Sequence, residues 1–297
     1  METYVIHVTK ECNMNCLYCY EKDKTSTYTW EEVKGFIDAI LENRTSNTFG
    51  IEFLGGEPML AWEHIKKAYE YLESFGDLNI DFYGITTNGT IMNEEIADYL
   101  SKNKKIYWAV SLDGHKYANQ LRVFKDNDKN SYDAVMKNLE LVKKVGVDNY
   151  GVHMVIQLYN VGYIYDSMSH LYLTKGISHL DPGIIESTMT IDENFARTYI
   201  KQMDKVSEAI VNGELKGLSV SMLTNLKPKN DVRTYLRDEN GKLIGETYGR
   251  SGNDVTDKTK SKKYEIIKCT TKTETSILID HIRETVYVNH QNRLGNK

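Results

Sequence analysis

The feature that most constrains the fold is a regular alternation of strand-like and helix-like segments over the first two thirds of the chain. The strand-like runs are residues 3–7, 50–54, 80–86, 106–112, 150–157 and 177–180, and the helical segments between them are 30–41, 62–75, 93–101, 132–144 and 164–174. Strands joined by helices pair in parallel through right-handed crossovers. The alternation therefore predicts an α/β fold with a parallel sheet of six strands, as an open or closed barrel.

The last third of the chain follows a different pattern. One helix is predicted at 192–211, and the stretch 225–263 is polar and rich in Lys, Asp, Gly and Thr, which is typical of a mobile or loosely ordered insertion. Strand character returns at 275–280 and 283–288. These two runs predict a terminal β-hairpin.

Composition excludes several classes of protein. The chain has 297 residues, of which 40% are hydrophobic and 27% charged, as in ordinary globular proteins. No apolar run is long enough to cross a bilayer, and the first residues do not resemble a secretion signal, so we expect a cytoplasmic protein without a membrane partner. A net charge of −5 gives no broad positive field, which disfavours nucleic acid as a partner.

Three of the four cysteines lie within eight positions near the N-terminus, as Cys12, Cys16 and Cys19. Thiolates are the preferred ligands of iron–sulfur clusters, and three of them would leave one iron of a four-iron cluster free to bind another molecule. A structural zinc site or a chance group of thiols is the alternative. Structural zinc usually takes four Cys or His ligands, often as two C-x-x-C pairs, and no second pair follows.

Polar motifs follow the next three predicted strands. They are Gly55-Gly56-Glu57-Pro58, Thr86-Thr87-Asn88-Gly89 and Ser111-Leu112-Asp113-Gly114. Ligands of parallel sheets bind where strands end, so we expect one shared site. Glycines allow close approach of a ligand, a glutamate and backbone carbonyls accept bonds from an ammonium group, and hydroxyl and amide side chains suit ribose and carboxylate groups. Each motif taken alone could be an ordinary polar turn.

These motifs, taken together, resemble those of the radical S-adenosylmethionine (SAM) superfamily. The cysteine spacing matches its C-x-x-x-C-x-aromatic-C signature with Tyr18 as the aromatic residue, and GGEP, TNG and S-x-DG segments follow in the same order. The resemblance covers residues 3–175. Within the superfamily, the stretch 113–141, which includes Arg122, resembles the anaerobic sulfatase-maturating and peptide-modifying SPASM enzymes.

The resemblance implies a partial (β/α)6 barrel at 1–185 and a short irregular C-terminal extension at 186–297 that covers the active site. It implies a [4Fe-4S] cluster on the three N-terminal cysteines and SAM across the barrel mouth. The implied SAM-contacting residues are Tyr18, Gly55, Gly56, Glu57, Pro58, Thr87, Asn88, Ser111, Asp113 and Arg122. For Arg122 a surface salt bridge is an equal alternative.

The implied chemistry is reductive cleavage of SAM to a 5′-deoxyadenosyl radical, which abstracts hydrogen from a substrate. The branch resemblance implies a peptide or protein substrate and an electron donor such as flavodoxin or ferredoxin. Two alternatives stay open. One is a radical SAM enzyme acting on a nucleotide, RNA or small metabolite, and the other is a noncatalytic iron–sulfur protein.

The sequence departs from the SPASM pattern in its C-terminal part. SPASM extensions are rich in cysteine, whereas only Cys269 remains here, so a conventional auxiliary cluster is excluded by counting. Cys269 is a candidate catalytic thiol, or else a small buried hydrophobic residue. His153 and Gln157, on the strand after Asp113, are candidates to face the cavity, and for His153 the alternative is a satisfied core histidine.

Overall fold

The computed structural model describes most of the chain. Described are residues 2–19, 21, 24–44, 46–185 and 191–224, the backbone of strands 231–237, 243–250, 258–260 and 265–269, and a helix at 274–295 with its side chains from residue 278.

Six parallel strands form the centre of the fold and confirm the predicted sheet. They are β1 (Glu2–Thr9), β2 (Thr48–Gly55), β3 (Asn79–Thr87), β4 (Ile106–Ser111), β5 (Tyr150–Ile156) and β6 (Leu180–Ile184). They pair in chain order from β1 to β6, and β6 lies at the end of the sheet. Among the described residues β1 and β6 do not pair with each other, so the sheet is a partial barrel.

Helices cover one face of this sheet. They are α1 (Trp30–Asn43), α2 (Trp62–Glu73), α3 (Glu94–Lys102), α4 (Tyr132–Val145), α5 (Ile164–Ser169) and α6 (Glu193–Asn212), followed by the short α7 (Ser221–Thr224). Capping residues fix their starts: Thr29 and Glu32 form a reciprocal capping box before α1, and the Asp192 side chain accepts from the Phe195 N–H before α6.

The two faces of the sheet differ in chemistry. The helix-covered face buries one apolar side chain from each of five strands, and Ile6, Ile51, Ile85, Trp108 and Met154 are all 0% exposed. The residues between them point to the opposite side because side chains alternate along a strand. This second face, hereafter the open face, carries the half-buried Glu52, Thr86, Ser111, His153 and Asp181.

The C-terminal part corrects two sequence predictions. The residues predicted to form a hairpin at 275–280 and 283–288 lie instead in one helix, α8 (Glu274–Gly295), which packs on α6 and α7. Its buried side chains Ile279, Ile282, Val286 and His290 recur at spacings of three and four, and packing of this helical stripe outweighs the local strand propensity of its β-branched residues.

The stretch predicted to be a loosely ordered insertion, 225–263, contains the backbone of β7 (Asp231–Arg237), β8 (Leu243–Arg250) and β9 (Lys258–Lys260). Together with β10 (Glu265–Cys269) these strands extend the sheet, and β8 pairs antiparallel with β1. The predicted domain boundary at residue 185 stays a prediction.

None of the helices in the described residues is long and apolar enough to cross a membrane.

The contact between α6 and α8 includes a buried histidine, His290. The buried His290 Nδ1 lies 2.8 Å from the Ser207 hydroxyl, and burial, with the nearby Arg293 cation, lowers the pKa of His290. As the pH falls from about 7 to about 5.5, the unfolded chain gains this proton before the folded chain does, so stability falls. We expect His290→Gln to lose less unfolding free energy over this range than the wild type, measured by urea unfolding, whereas substitution of the exposed His281 leaves the slope unchanged.

Candidate functional site

The three N-terminal cysteines lie on a loop directly after β1. This cysteine loop, residues 12–19, is held against the segment 121–125 that follows β4 by three backbone hydrogen bonds. They run from the Asn15 N–H to the Val123 carbonyl (2.8 Å), from the Leu17 N–H to the Leu121 carbonyl (3.0 Å) and from the Lys125 N–H to the Asn13 carbonyl (3.0 Å). The loop is thus paired like a short strand. Sequence analysis missed this pairing, because nothing in the cysteine motif indicates its partner.

The thiols are half-buried and close enough to influence one another. Burial raises the pKa of Cys12 and Cys16, the neighbouring thiols Cys16 and Cys19 raise these values further, and the cations Arg122 and Lys24 oppose the rise at Cys16. The Cys19 N–H donates to the Cys16 carbonyl at 3.0 Å, which folds the end of the loop. In the described part of the chain, no three His, Cys, Asp or Glu side chains converge closely enough to hold a single metal ion.

The two glycines of the GGEP motif allow the protein backbone to pack closely, and their predicted contact with SAM stays a prediction. A Cβ atom on Gly55 would lie 2.1 Å from the Thr9 carbonyl oxygen, and one on Gly56 would lie 2.3 Å from the Lys10 oxygen and 2.4 Å from the Glu11 oxygen. The space beside both glycines is therefore filled by residues 9–11, which lead from β1 into the cysteine loop. Pro58 is buried and begins a turn of 3-10 helix.

Glu57 is an internal anchor. Its side chain is 0% exposed and accepts hydrogen bonds from the Thr87 hydroxyl (2.5 Å), the Asn88 N–H (2.6 Å) and the Met59 N–H (3.0 Å). Burial raises the pKa of Glu57 to about 7, although these three donors oppose the rise. The carboxylate is thus enclosed by protein donors, and the predicted contact between Glu57 and SAM stays a prediction.

The TNG segment connects this anchor to the cysteine loop. Thr87 is 1% exposed, and its hydroxyl binds Glu57. The Asn88 side-chain amide donates to Asn13 Oδ1 at 2.8 Å and lies 3.9 Å from Cys12 Sγ. Thr87 is thus bonded within the protein and Asn88 contacts the first cysteine, and the predicted contacts of both with SAM stay predictions.

Asp113 is the centre of a second buried network. Its carboxylate accepts bonds from Arg122 Nε (2.9 Å), the Tyr18 hydroxyl (2.6 Å) and the Val155 N–H (3.0 Å). The Arg122 guanidinium also lies over the Tyr18 ring, 5.5 Å from its centroid. Arg122 is 6% exposed, so its salt bridge is internal and the predicted surface bridge is wrong. Burial raises the pKa of Tyr18 and keeps its hydroxyl protonated.

Asn119 supports this network and was not predicted. It is 0% exposed, its Oδ1 accepts from the Asp113 N–H at 3.0 Å, and its amide donates to Ser131 and Asn130. A polar residue three positions before Arg122 was the only sequence signal, and it is too common to be informative.

The remaining predicted residues are Ser111, Gln157 and Cys269. Ser111 stays half-buried on the open face at the end of β4, beside His153 on β5. Gln157 is buried just beyond β5, and its amide nitrogen has no hydrogen-bond partner among the described residues. The backbone of Cys269 ends β10, but its side chain lies outside the described part of the structure, so its role stays a prediction.

Replacing Gly56 by alanine tests the close packing around the cysteine loop. The new methyl group would overlap two backbone oxygens that cannot move independently, so we expect a loss of about 1–3 kcal/mol of unfolding free energy, measured by urea denaturation of the metal-free protein. Gly76→Ala is the matched control, because a Cβ there meets nothing within 4 Å. Equal stability of the two variants would contradict the packing role.

Replacing Arg122 by methionine tests the buried ion pair. The side chains of Arg122 and Asp113 are 7% and 0% exposed, so the variant leaves a carboxylate buried without its cation, and we expect a loss of about 3–5 kcal/mol in the same assay. Arg197→Met breaks an ion pair whose side chains are 70% and 86% exposed. Its loss should stay below about 1 kcal/mol, and a comparable loss in both variants would refute a special role for the buried pair.

Comparison with known proteins agrees with this site. The family model described as the radical SAM superfamily matches residues 6–171, more than half of the chain. An uncharacterised protein of Methanocaldococcus jannaschii is 31% identical over 58% of both chains. The radical SAM cyclopropyl synthase TigE of Paramaledivibacter caminithermalis is 30% identical over 46% of this chain and 32% of its own. A cysteine-type anaerobic sulfatase-maturating enzyme of Clostridium novyi is 27% identical over 47% and 40%.

Solved structures share the fold. The sulfatase-maturating enzyme anSMEcpe with bound AdoMet and Kp18Cys peptide superposes with a TM-score of 0.65 at 21% identity, covering 75% of this chain and 64% of that one. Streptococcus suis SuiB bound to the precursor peptide SuiA gives 0.54 at 16% identity, covering 73% and 48%.

The chain spans 32% to 58% of the length of the curated relatives named above. The radical SAM family uses a [4Fe-4S] cluster and SAM. Because the family model matches the strands, the cysteine loop and the motifs that form the site, this chain belongs to the radical SAM superfamily.

Proposed function

We propose that this chain is a radical SAM enzyme that modifies a peptide or protein. When bound, a reduced [4Fe-4S] cluster supplies the electron that splits SAM, and the resulting 5′-deoxyadenosyl radical abstracts a hydrogen atom from the substrate. The difficult chemistry belongs to this cofactor pair, and the protein contributes binding, orientation and exclusion of water.

One observation carries the proposal: three half-buried thiols share a loop at the carboxyl edge of a partial barrel. The donor set fits a cluster with one open iron, since it contains three thiols. Cys12, Cys16 and Cys19 would hold the cluster. They must lose their protons to bind iron, and Arg122 and Lys24 favour that loss at Cys16.

The other motif residues hold this loop in place. Asp113 binds Arg122 and Tyr18 of the loop, Glu57 binds the TNG segment, and Asn88 contacts Cys12. In this proposal most polar side chains of the motifs position the cluster ligands, whereas the half-buried Ser111 and Gly55 and Gly56 of the GGEP segment contact SAM. Preorganisation of this kind reduces the reorganisation needed when the reaction begins.

The peptide substrate is supported by the neighbours. Both superposed enzymes were solved with peptides bound, and the matched relatives include maturases of sulfatases. We further propose a small electron-transfer protein such as flavodoxin or ferredoxin as the reductant, and that the C-terminal part covers the substrate cavity.

The test is anaerobic cluster reconstitution followed by a dithionite-driven assay for 5′-deoxyadenosine. To identify the substrate class, the encoding organism is grown in deuterated medium and its extract is divided into two fractions. One contains peptides and small proteins, and the other contains small metabolites. Each fraction is added to the assay separately. We expect the wild type to cleave SAM and to form deuterated 5′-deoxyadenosine with the peptide fraction.

A variant with Cys12, Cys16 and Cys19 all replaced by alanine is the control and should form no product. Deuterium transfer from the metabolite fraction alone would refute the peptide assignment. A reduced, intact cluster that neither binds nor cleaves SAM would leave a noncatalytic iron–sulfur protein.

A further inference from the structure

A row of polar residues crosses three neighbouring strands of the open face. Ser111 on β4 is the register partner of His153 on β5, and His153 is in turn the register partner of Asp181 on β6. Each lies between buried residues of the opposite, helix-covered face, so all three point to the same side. The row begins at the last residue of β4, which places His153 and Asp181 beside the proposed SAM site.

His153 and Asp181 form an ordered pair. His153 Nδ1 lies 3.4 Å from Asp181 Oδ2, and the Ser221 hydroxyl at the start of α7 donates to Asp181 Oδ1 at 2.5 Å. Although burial alone would raise it, the bonds from His153 and Ser221 lower the pKa of Asp181 and keep it ionised. A carboxylate at Nδ1 favours the tautomer whose proton is on Nδ1, which leaves Nε2 as an acceptor.

Gly183 leaves the space that the imidazole ring occupies. A Cβ atom at Gly183 would lie 2.6 Å from His153 Cε1 and 3.0 Å from Nε2, so the ring lies directly on the β6 backbone. The His153 side chain nevertheless stays 40% exposed. The ring is therefore held at one nitrogen and on one side while it remains accessible, and a satisfied core histidine would be neither accessible nor held in this way.

We propose that His153, positioned by Asp181, Ser221 and Gly183, contacts the substrate by accepting a hydrogen bond at Nε2. Its ligand would be a group with an N–H, O–H or S–H bond, such as a peptide amide, hydroxyl or thiol, next to the carbon that loses hydrogen. Asp181 and Ser221 are positioning residues that act through the imidazole. This inference rests on the proposed function and adds a residue that selects the substrate and its orientation.

The first test needs no activity. Histidine tautomers are read from the NMR spectrum of protein labelled with ¹⁵N-histidine. The imidazole signal that disappears in His153→Asn belongs to His153, and we expect it to show the Nδ1–H tautomer. Asp181→Asn should shift the ring toward the Nε2–H form. An Nε2–H tautomer in the wild type would overturn the proposal, because Nε2 would then be a donor.

The second test uses the deuterium-transfer assay with the peptide fraction. His153→Asn keeps an N–H for Asp181 but removes Nε2, and Gly183→Ala keeps the histidine but displaces its ring. We expect both to lower deuterium transfer by about 10-fold or more relative to the wild type. His179→Asn, an exposed histidine just before β6, is the matched control.

The outcomes separate the two proposals. Undiminished deuterium transfer by His153→Asn would refute the contact, although the radical SAM assignment would stand. If the wild type does not cleave SAM, both the proposed function and this inference are refuted. Loss of substrate-free cleavage in His153→Asn but not in His179→Asn would show that the residue serves SAM and not the substrate.

Discussion

The arrangement of the site depends on one buried carboxylate. Asp113 accepts bonds from a guanidinium, a phenol and a backbone N–H that belong to three parts of the chain: the segment after β4, the cysteine loop and β5. A carboxylate that is fully removed from water needs such partners, because its desolvation is otherwise prohibitive. The same requirement that stabilises the ion therefore fixes the loop that carries the thiols.

Glu57 repeats this design at the other end of the cysteine loop. It connects the GGEP segment to the TNG segment. The two glycines of the GGEP segment, Gly55 and Gly56, pack closely against residues 9–11. Most polar motif residues thus contact protein and not solvent. A motif that marks a ligand site can consist largely of the residues that build the site, with few that touch the ligand.

The open face has a different role from the carboxyl edge. Interiors of closed barrels are filled by bulky branched side chains, whereas this partial barrel places Glu52, Ser111, His153 and Asp181 on its open face. Polar residues on such a surface are costly unless paired, and the pairs Glu52 with Thr86 and His153 with Asp181 meet that requirement. Their retention is consistent with a cavity that receives a polar substrate.

The sequence by itself determined the parallel sheet, its helices and the position of the cysteine motif, because these follow from local periodicity and from ligand spacing along one loop. Tertiary structure decided what each motif residue contacts. The enclosure of Glu57 depends on residues 30 and 31 positions away, the burial of Arg122 on one 9 positions away, and the pairing of His153 with Asp181 on residues 28 positions apart. No local pattern encodes these contacts. The tail followed the same rule: its β-branched residues favour strands locally, but packing on α6 selects a helix.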